Sequence, residues 1–223
     1  MGVCDRFMCG RFTLATTASD LVREFEIEIN RAVSSRYNIA PTQPILTIKK
    51  DEKDKPVLDV IKWGLIPSWV KNLNSWKSNL INARAETVAE KSSFRGAFKY
   101  RPCLIPTTGF YEWTQDKQPY YFRVKERPLF ALAGLWESWS NGEDELISCT
   151  IITTKANVDA AKVHHRMPVI IQPEDYSLWL GELDGRKQLL DTLPEVELDI
   201  YPVSKTVNSP KNDTSECIKP IDI

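Results

Sequence analysis

A cysteine directly after a methionine, in Met8-Cys9-Gly10-Arg11-Phe12, is the most chemically loaded feature of this sequence. If translation or processing exposes Cys9, one residue carries both a thiol and an α-amine. The amine titrates near ~8, so part of it is unprotonated and nucleophilic at neutral pH. Such a 1,2-aminothiol condenses with an aldehyde in two steps. The amine forms an imine, and the thiol then closes a five-membered thiazolidine. The commoner fate of a cysteine is burial as a small apolar residue, here in a first strand.

Three further groups carry chemistry. In Ile81-Asn82-Ala83-Arg84-Ala85-Glu86, an extended chain would put Asn82, Arg84 and Glu86 on one face. Asn orients an amine or a sugar oxygen, and Arg holds phosphate with its planar donors. A plain exposed strand face fits the same pattern. In Gly109-Phe110-Tyr111-Glu112-Trp113, a carboxylate stands among three aromatics. Desolvation there would raise its pKa and suit it to proton transfer near neutrality; an ion pair at a sheet edge is the bland alternative. In His164-His165-Arg166-Met167-Pro168, a histidine beside an arginine could move protons or contact phosphate, or simply cap a helix. There is no P-loop, G-x-G-x-x-G, G-x-S-x-G or H-E-x-x-H.

Short strand-like runs must position these groups: 45–49, 57–63, 103–105, 109–114, 120–124, 129–135, 146–153, 169–171 and 198–203. They are rich in Ile, Val and aromatic residues and are bracketed by Pro or Gly. Helical signals are fewer: 18–25 after the cap Thr17, 94–99, 157–163, 173–180 opening on Pro then Glu-Asp, and 185–193. Strands without regular helical alternation argue for an α+β single domain, a curled, mostly antiparallel sheet with a barrel-like core and peripheral helices. Residues 211–223 read as an irregular tail.

With 223 residues, the chain is ample for one domain and thin for two. The hydrophobic fraction of 42% and charged fraction of 26% are those of a globular protein. The longest near-unbroken apolar stretch, Leu129 to Trp136, is far short of a membrane span. With no signal core at the start, the expected location is cytoplasmic. Five scattered cysteines without a C-x-x-C pair read as reduced thiols, and the only histidines, His164 and His165, are neighbours that cannot share one helix or strand face. Neither a metal site nor a cofactor is expected. The net charge is −1, but Val60 to Arg101 holds eight cations and two acids, so it carries +6 and leaves −7 to the rest. Trp63, Trp69 and Trp76 lie in the same stretch. Cations interleaved with aromatics suit single-stranded nucleic acid, and equally a solvated face over core tryptophans.

Together the motifs resemble the SRAP family, the SOS-response-associated peptidase proteins that crosslink to abasic sites in single-stranded DNA. The matching segments are MCGRF at 8–12, YNIAPTQ at 37–43, WGLIPSW at 63–69, INARAET at 81–87, RPCLIPTTGFYEW at 101–113, FALAGLWE at 130–137, CTIITTKAN at 149–157 and HHRMPVI at 164–170, with VNSP at 207–210. The resemblance implies a catalytic and DNA-binding domain over 8–210. It implies that Cys9 is the nucleophile and that Asn82 positions the cysteine and the sugar. Glu112 is then the acid–base, and His164 lies beside sugar and phosphate. Arg11 and Arg84 are similar to phosphate-binding arginines, with Thr153 a further phosphate contact. Pro41, Trp63 and Trp69 lie in motifs whose counterparts shape the DNA channel. The implied partner is single-stranded DNA with an abasic site, held by a monomer that is nucleoid-associated when bound. The implied reaction is a thiazolidine crosslink that protects the lesion, with weak lyase and self-cleaving activity beside it.

Two departures stand out. His165 occupies a position where many relatives have Asp. Cys9 also follows eight residues, whereas in the family the cysteine follows the initiator Met directly. Residues 1–7 are therefore read as a leader or an upstream-start extension, with Met8 the favoured start and self-removal the second choice. A cysteine hydrolase using Cys9 and His164 and a noncatalytic nucleic-acid module are the alternative readings.

Overall fold

The apolar runs pair into a closed circuit of strands. The computed structural model describes residues 9–223, so the expected leader and Met8 lie outside the described residues. In chain order the strands are β1 (Phe12–Leu14), β2 (Arg36–Ile39), β3 (Pro44–Lys50), β4 (Pro56–Trp63), β5 (Asn82–Arg84), β6 (Pro102–Thr107), β7 (Gly109–Trp113), β8 (Pro119–Val124), β9 (Phe130–Ser140), β10 (Glu145–Lys155), β11 (Arg166–Pro168), β12 (Ile170–Ile171) and β13 (Leu198–Pro202). The helices are α1 (Ala18–Phe25), α2 (Arg95–Tyr100), α3 (Tyr176–Leu180) and α4 (Leu183–Asp191).

One sheet runs β11-β10-β4-β3-β6-β9-β12, and β9 also pairs with β10, which closes the circuit. The pairings are antiparallel except β10 with β4 and with β5. A second, five-stranded sheet runs β13-β8-β7-β1-β2. This is the α+β, barrel-like architecture expected from the sequence.

The unbroken apolar run of β9 reflects its place between β6, β10 and β12, with both faces enclosed. Gly134 is required there, because a Cβ would stand 2.8 Å from both Cys103 Sγ and Ile105 Cδ1. α1 starts at the foreseen cap: Thr17 accepts from the Asp20 N–H, and the Asp20 carboxylate accepts from the Thr17 N–H.

Boundaries differ from expectation where backbone partners outweigh local pattern. The expected helix at 157–163 is a single 3-10 turn, Ala160–Lys162, and 173–180 opens as a 3-10 turn before α3. β2 lies outside the expected strands; pairing with β1 holds its polar sequence extended. The C-terminal tail is irregular in element type yet tied down. Asp213 accepts from the Tyr37 and Asn38 N–H groups, and the Asn38 amide donates to the carbonyls of Val207, Ser209 and Asn212. Cys217 and Val207 are buried with Tyr111 and Tyr121 in a small core of their own.

Candidate active site

β1 and β7 bring the first pair of groups together. They run antiparallel with Phe12 opposite Phe110, and the pairing continues outward through the Tyr111 N–H to the Arg11 carbonyl at 3.0 Å. Just beyond this ladder the chain turns at Cys9, which meets the Glu112 side chain. The Cys9 nitrogen donates to Glu112 Oε1 at 2.8 Å. Both residues are buried, Cys9 at 3% and Glu112 at 1% exposure. Cys9 also holds a left-handed φ of 44°, a conformation that costs a non-glycine residue energy and gathers at functional positions.

Burial pushes the Glu112 carboxyl up to about 8, although its hydrogen bonds from Cys9 pull the other way. The Cys9 thiol is raised well above its ordinary value, first by burial and then by the Glu112 charge, while the nearby Arg166 charge opposes the shift. Glu112 thus stays largely protonated at neutral pH in the pocket that holds the cysteine nitrogen and thiol.

His164 closes the group from the loop before β11. Its Nδ1 lies 3.9 Å from Glu112 Oε2. The same nitrogen is 3.2 Å from the Arg166 N–H and 3.2 Å from the Arg166 carbonyl oxygen. A bare Nδ1 accepts from the first and a protonated Nδ1 donates to the second, so the ring can exchange a proton without losing its backbone partner. The two histidines do not share a helix or strand face, as expected, but in this loop their rings lie 4.5 Å apart.

Asn82 and Arg84 open and close β5, in parallel register with Ile151 and Thr153 of β10. Arg84 is exposed, and Asn82 is half-buried. Glu86, expected on their face, instead turns into a 3-10 helix and grips Arg166 with both oxygens, at 2.5 and 3.0 Å. That contact lowers the Glu86 carboxyl below its ordinary value.

The DNA candidates divide into surface and interior. Trp69 is 54% exposed, and Pro41 is half-buried in the turn between β2 and β3. Trp63 does not line an open channel. It is fully buried, with its indole N–H donating to the Ile81 carbonyl at 2.9 Å and its ring edge-on to Phe12 at 5.3 Å. It shapes the site from behind by tying the strand after Cys9 to the strand that begins at Asn82. Thr153 is likewise enclosed, and its carbonyl and hydroxyl accept from Arg166. Arg11 spends Nη1 on Asn38 Oδ1 and the Val207 carbonyl, each at 2.6 Å, with its guanidinium over the Trp113 ring. It anchors the C-terminal segment beside the site.

Arg166 escaped sequence reasoning as a site residue. The visible signal was its place two residues after His164 together with the carboxylate at Glu86; only the fold supplies the pairing.

The family model described as SOS response associated peptidase (SRAP) matches residues 8–210. The chain is 41% identical to "Abasic site processing protein YoqW" of Bacillus subtilis, over 95% of this chain and 99% of that protein. It is 29% identical to "Abasic site processing protein YedK" of Escherichia coli, over 96% of this chain and all of that one. The crystal structure of a Bacteroides thetaiotaomicron protein superimposes with a TM-score of 0.85 at 25% identity, covering 96% of this chain and 100% of the other.

Proposed function

This chain belongs to the SOS response associated peptidase (SRAP) family, and from that premise we propose that it processes abasic sites by covalent capture through Cys9. The observation that carries the reading is the 2.8 Å contact between the Cys9 nitrogen and a buried, largely protonated Glu112. An abasic site in a single strand is a cyclic hemiacetal in equilibrium with an open aldehyde. Glu112, with His164 beside it, passes a proton to the ring oxygen as the ring C–O bond breaks, and recovers one from the anomeric hydroxyl, whose oxygen becomes the aldehyde oxygen. A free Cys9 amine then attacks the aldehyde carbon. Glu112 protonates the carbinolamine hydroxyl, which leaves as water, and the imine forms. The Cys9 sulfur adds to the imine carbon while its proton passes to nitrogen, closing the thiazolidine. The balance is one aldehyde and one aminothiol giving one ring and one water.

The amine titrates near ~8, close to Glu112, so protons move between them at little energetic cost. The family match opens on Met8-Cys9, which supports a mature chain whose first residue is Cys9. Arg84, exposed at the end of β5, takes a flanking phosphate, and Trp69 offers a ring face to a base. The hydrolase alternative calls for a low-pKa thiol activated by histidine. Here the Cys9 thiol is pushed up, and His164 faces Glu112.

The test is a denaturing gel. A chain verified to begin at Cys9 is incubated with single-stranded oligonucleotides with and without one abasic site. A slow band that requires the abasic site and disappears in Cys9→Ser is expected. Its absence with the verified chain overturns the proposal.

A further inference from the structure

Five cations follow one another in sequence beyond the site itself: Lys71, Lys77, Lys91, Arg95 and Lys99. All are exposed, and none forms an ion pair among the described residues. Elsewhere on the surface many cations are matched by acids, as in Arg36–Asp213, Arg123–Asp199 and Lys125–Glu197. Between Lys71 and Arg101 the sequence has two acids, Glu86 and Glu90, and Glu86 is committed to Arg166.

Local geometry gathers three of the cations at the start of α2. The Arg95 N–H donates to the Lys91 carbonyl at 2.8 Å, which holds Lys91 one turn before the start of α2. Lys99 follows Arg95 four residues on in α2, so these two stand one above the other roughly 6 Å apart, with Lys91 in the turn that leads into the helix. Like charges at this spacing repel, and no acid among the described residues pairs with them. Tyr100, 65% exposed, adds an aromatic face beside Lys99, which lies over its ring.

The cluster is joined to the loop that carries Trp69. The Trp69 indole N–H reaches the Ser92 carbonyl at 3.3 Å, next to Lys91, and its ring meets Trp76 edge-on at 5.6 Å. Lys71 lies between these two tryptophans in sequence and Lys77 directly follows Trp76. The positive surface therefore continues from the Trp69 loop onto the start of α2.

We propose that this surface is a second phosphate track, which takes the backbone of the single DNA strand as it leaves the abasic site on one side. It rests on the DNA-binding reading above and extends the footprint beyond the residues that surround the lesion. A single strand supplies what the cluster lacks, anions at regular intervals with bases that can lie on Trp69 and Tyr100.

The test uses Lys91→Gln/Arg95→Gln/Lys99→Gln, with thermal melting to establish that it folds. Noncovalent affinity is measured on oligonucleotides carrying a tetrahydrofuran analogue, which has no aldehyde, so failure of the Cys9 chemistry leaves this measurement intact. One oligonucleotide covers only the lesion and its immediate neighbours; two longer ones extend it on the 5′ or the 3′ side. The wild-type chain should gain about tenfold in affinity from extension on one side only. The triple variant should lose that gain, with the salt slope on the longer strand falling by roughly 2, at about 0.7 per phosphate contact. Its affinity for the short oligonucleotide should be unchanged. A variant that keeps the full gain from extension, or that loses affinity equally on short and long strands, overturns the proposal.

Discussion

Replacing Glu112 by Gln removes a titrating group while keeping its shape. The amide oxygen can still accept from the Cys9 nitrogen at the position now 2.8 Å away, so noncovalent DNA affinity should be unchanged. What is lost is proton transfer. Burial holds the Glu112 carboxyl up, at about 8, so it is mainly protonated at neutral pH and ionises as the pH rises. The Cys9 amine, near ~8, must be unprotonated to attack. Wild-type crosslinking should therefore rise with pH as the amine deprotonates, peak near pH 8, and fall above it as Glu112 ionises. Because the two groups touch, the two limbs belong to the pair. In Glu112→Gln the maximal rate should drop by ~10²–10⁴ and the falling limb should vanish. Single-turnover gel assays from pH 6 to about 9.5, with affinity measured in the same buffers, supply both quantities. A variant within threefold (~0.7 kcal/mol) of the wild-type rate that keeps the alkaline limb would refute the proton-transfer role. Parallel losses of rate and affinity would make Glu112 a structural partner of Cys9.

Arg84→Ala should weaken single-strand binding and lower the salt slope by roughly 0.7, read from titrations at several salt concentrations; an unchanged slope and affinity would place Arg84 off the backbone. Trp63→Leu should cost about 2–4 kcal/mol in denaturant unfolding, from lost volume and the lost indole hydrogen bond to the Ile81 carbonyl, which keeps the Ile151 N–H as a partner, and should slow crosslinking because Phe12 and Ile81 lose their common support; a loss under 1 kcal/mol would contradict that role. Where the Cys9 nitrogen is amide-bonded, the raised Glu112 carboxyl makes stability depend on pH. Its contribution is full below the ordinary carboxyl range near ~4.5 and is lost as pH rises through about 8, a fall of about 3–5 kcal/mol that Glu112→Gln should abolish in chemical denaturation at pH 5 and 8.5.

The groups that do chemistry were legible because their types are unusual in their settings: an aminothiol candidate after Met, an acid among aromatics, a histidine beside an arginine. The core strands were legible because long apolar runs leave little choice of environment. Which side chains face solvent was much less so. Trp63 and Trp69 stand six residues apart in one motif, yet the first is sealed between Phe12 and Ile81 and the second lies open. Arg11 and Thr153 look like free donors in sequence, but Asn38 and the distant Val207 occupy Arg11, and Arg166 occupies Thr153. Glu86 left its expected face because the extended strand ends at Arg84 and the chain turns. The C-terminal segment looked irregular because its order comes from Asn38, which donates to the segment's own Asp213 carboxylate and Asn212 carbonyl, bonds that leave no periodic pattern.

The central claim is that the Cys9 α-amine, held against Glu112, captures the abasic aldehyde. Intact-mass spectrometry of the reaction products tests it most directly, on chains verified to begin at Cys9 and on chains verified to keep the residues before it. The chain beginning at Cys9 should give an adduct whose mass is protein plus abasic oligonucleotide less one water, with the Cys9 thiol no longer alkylated. The longer chain should bind the same oligonucleotide without forming it. An adduct at the normal rate from a chain with a verified amide-bonded Cys9 would contradict the claim.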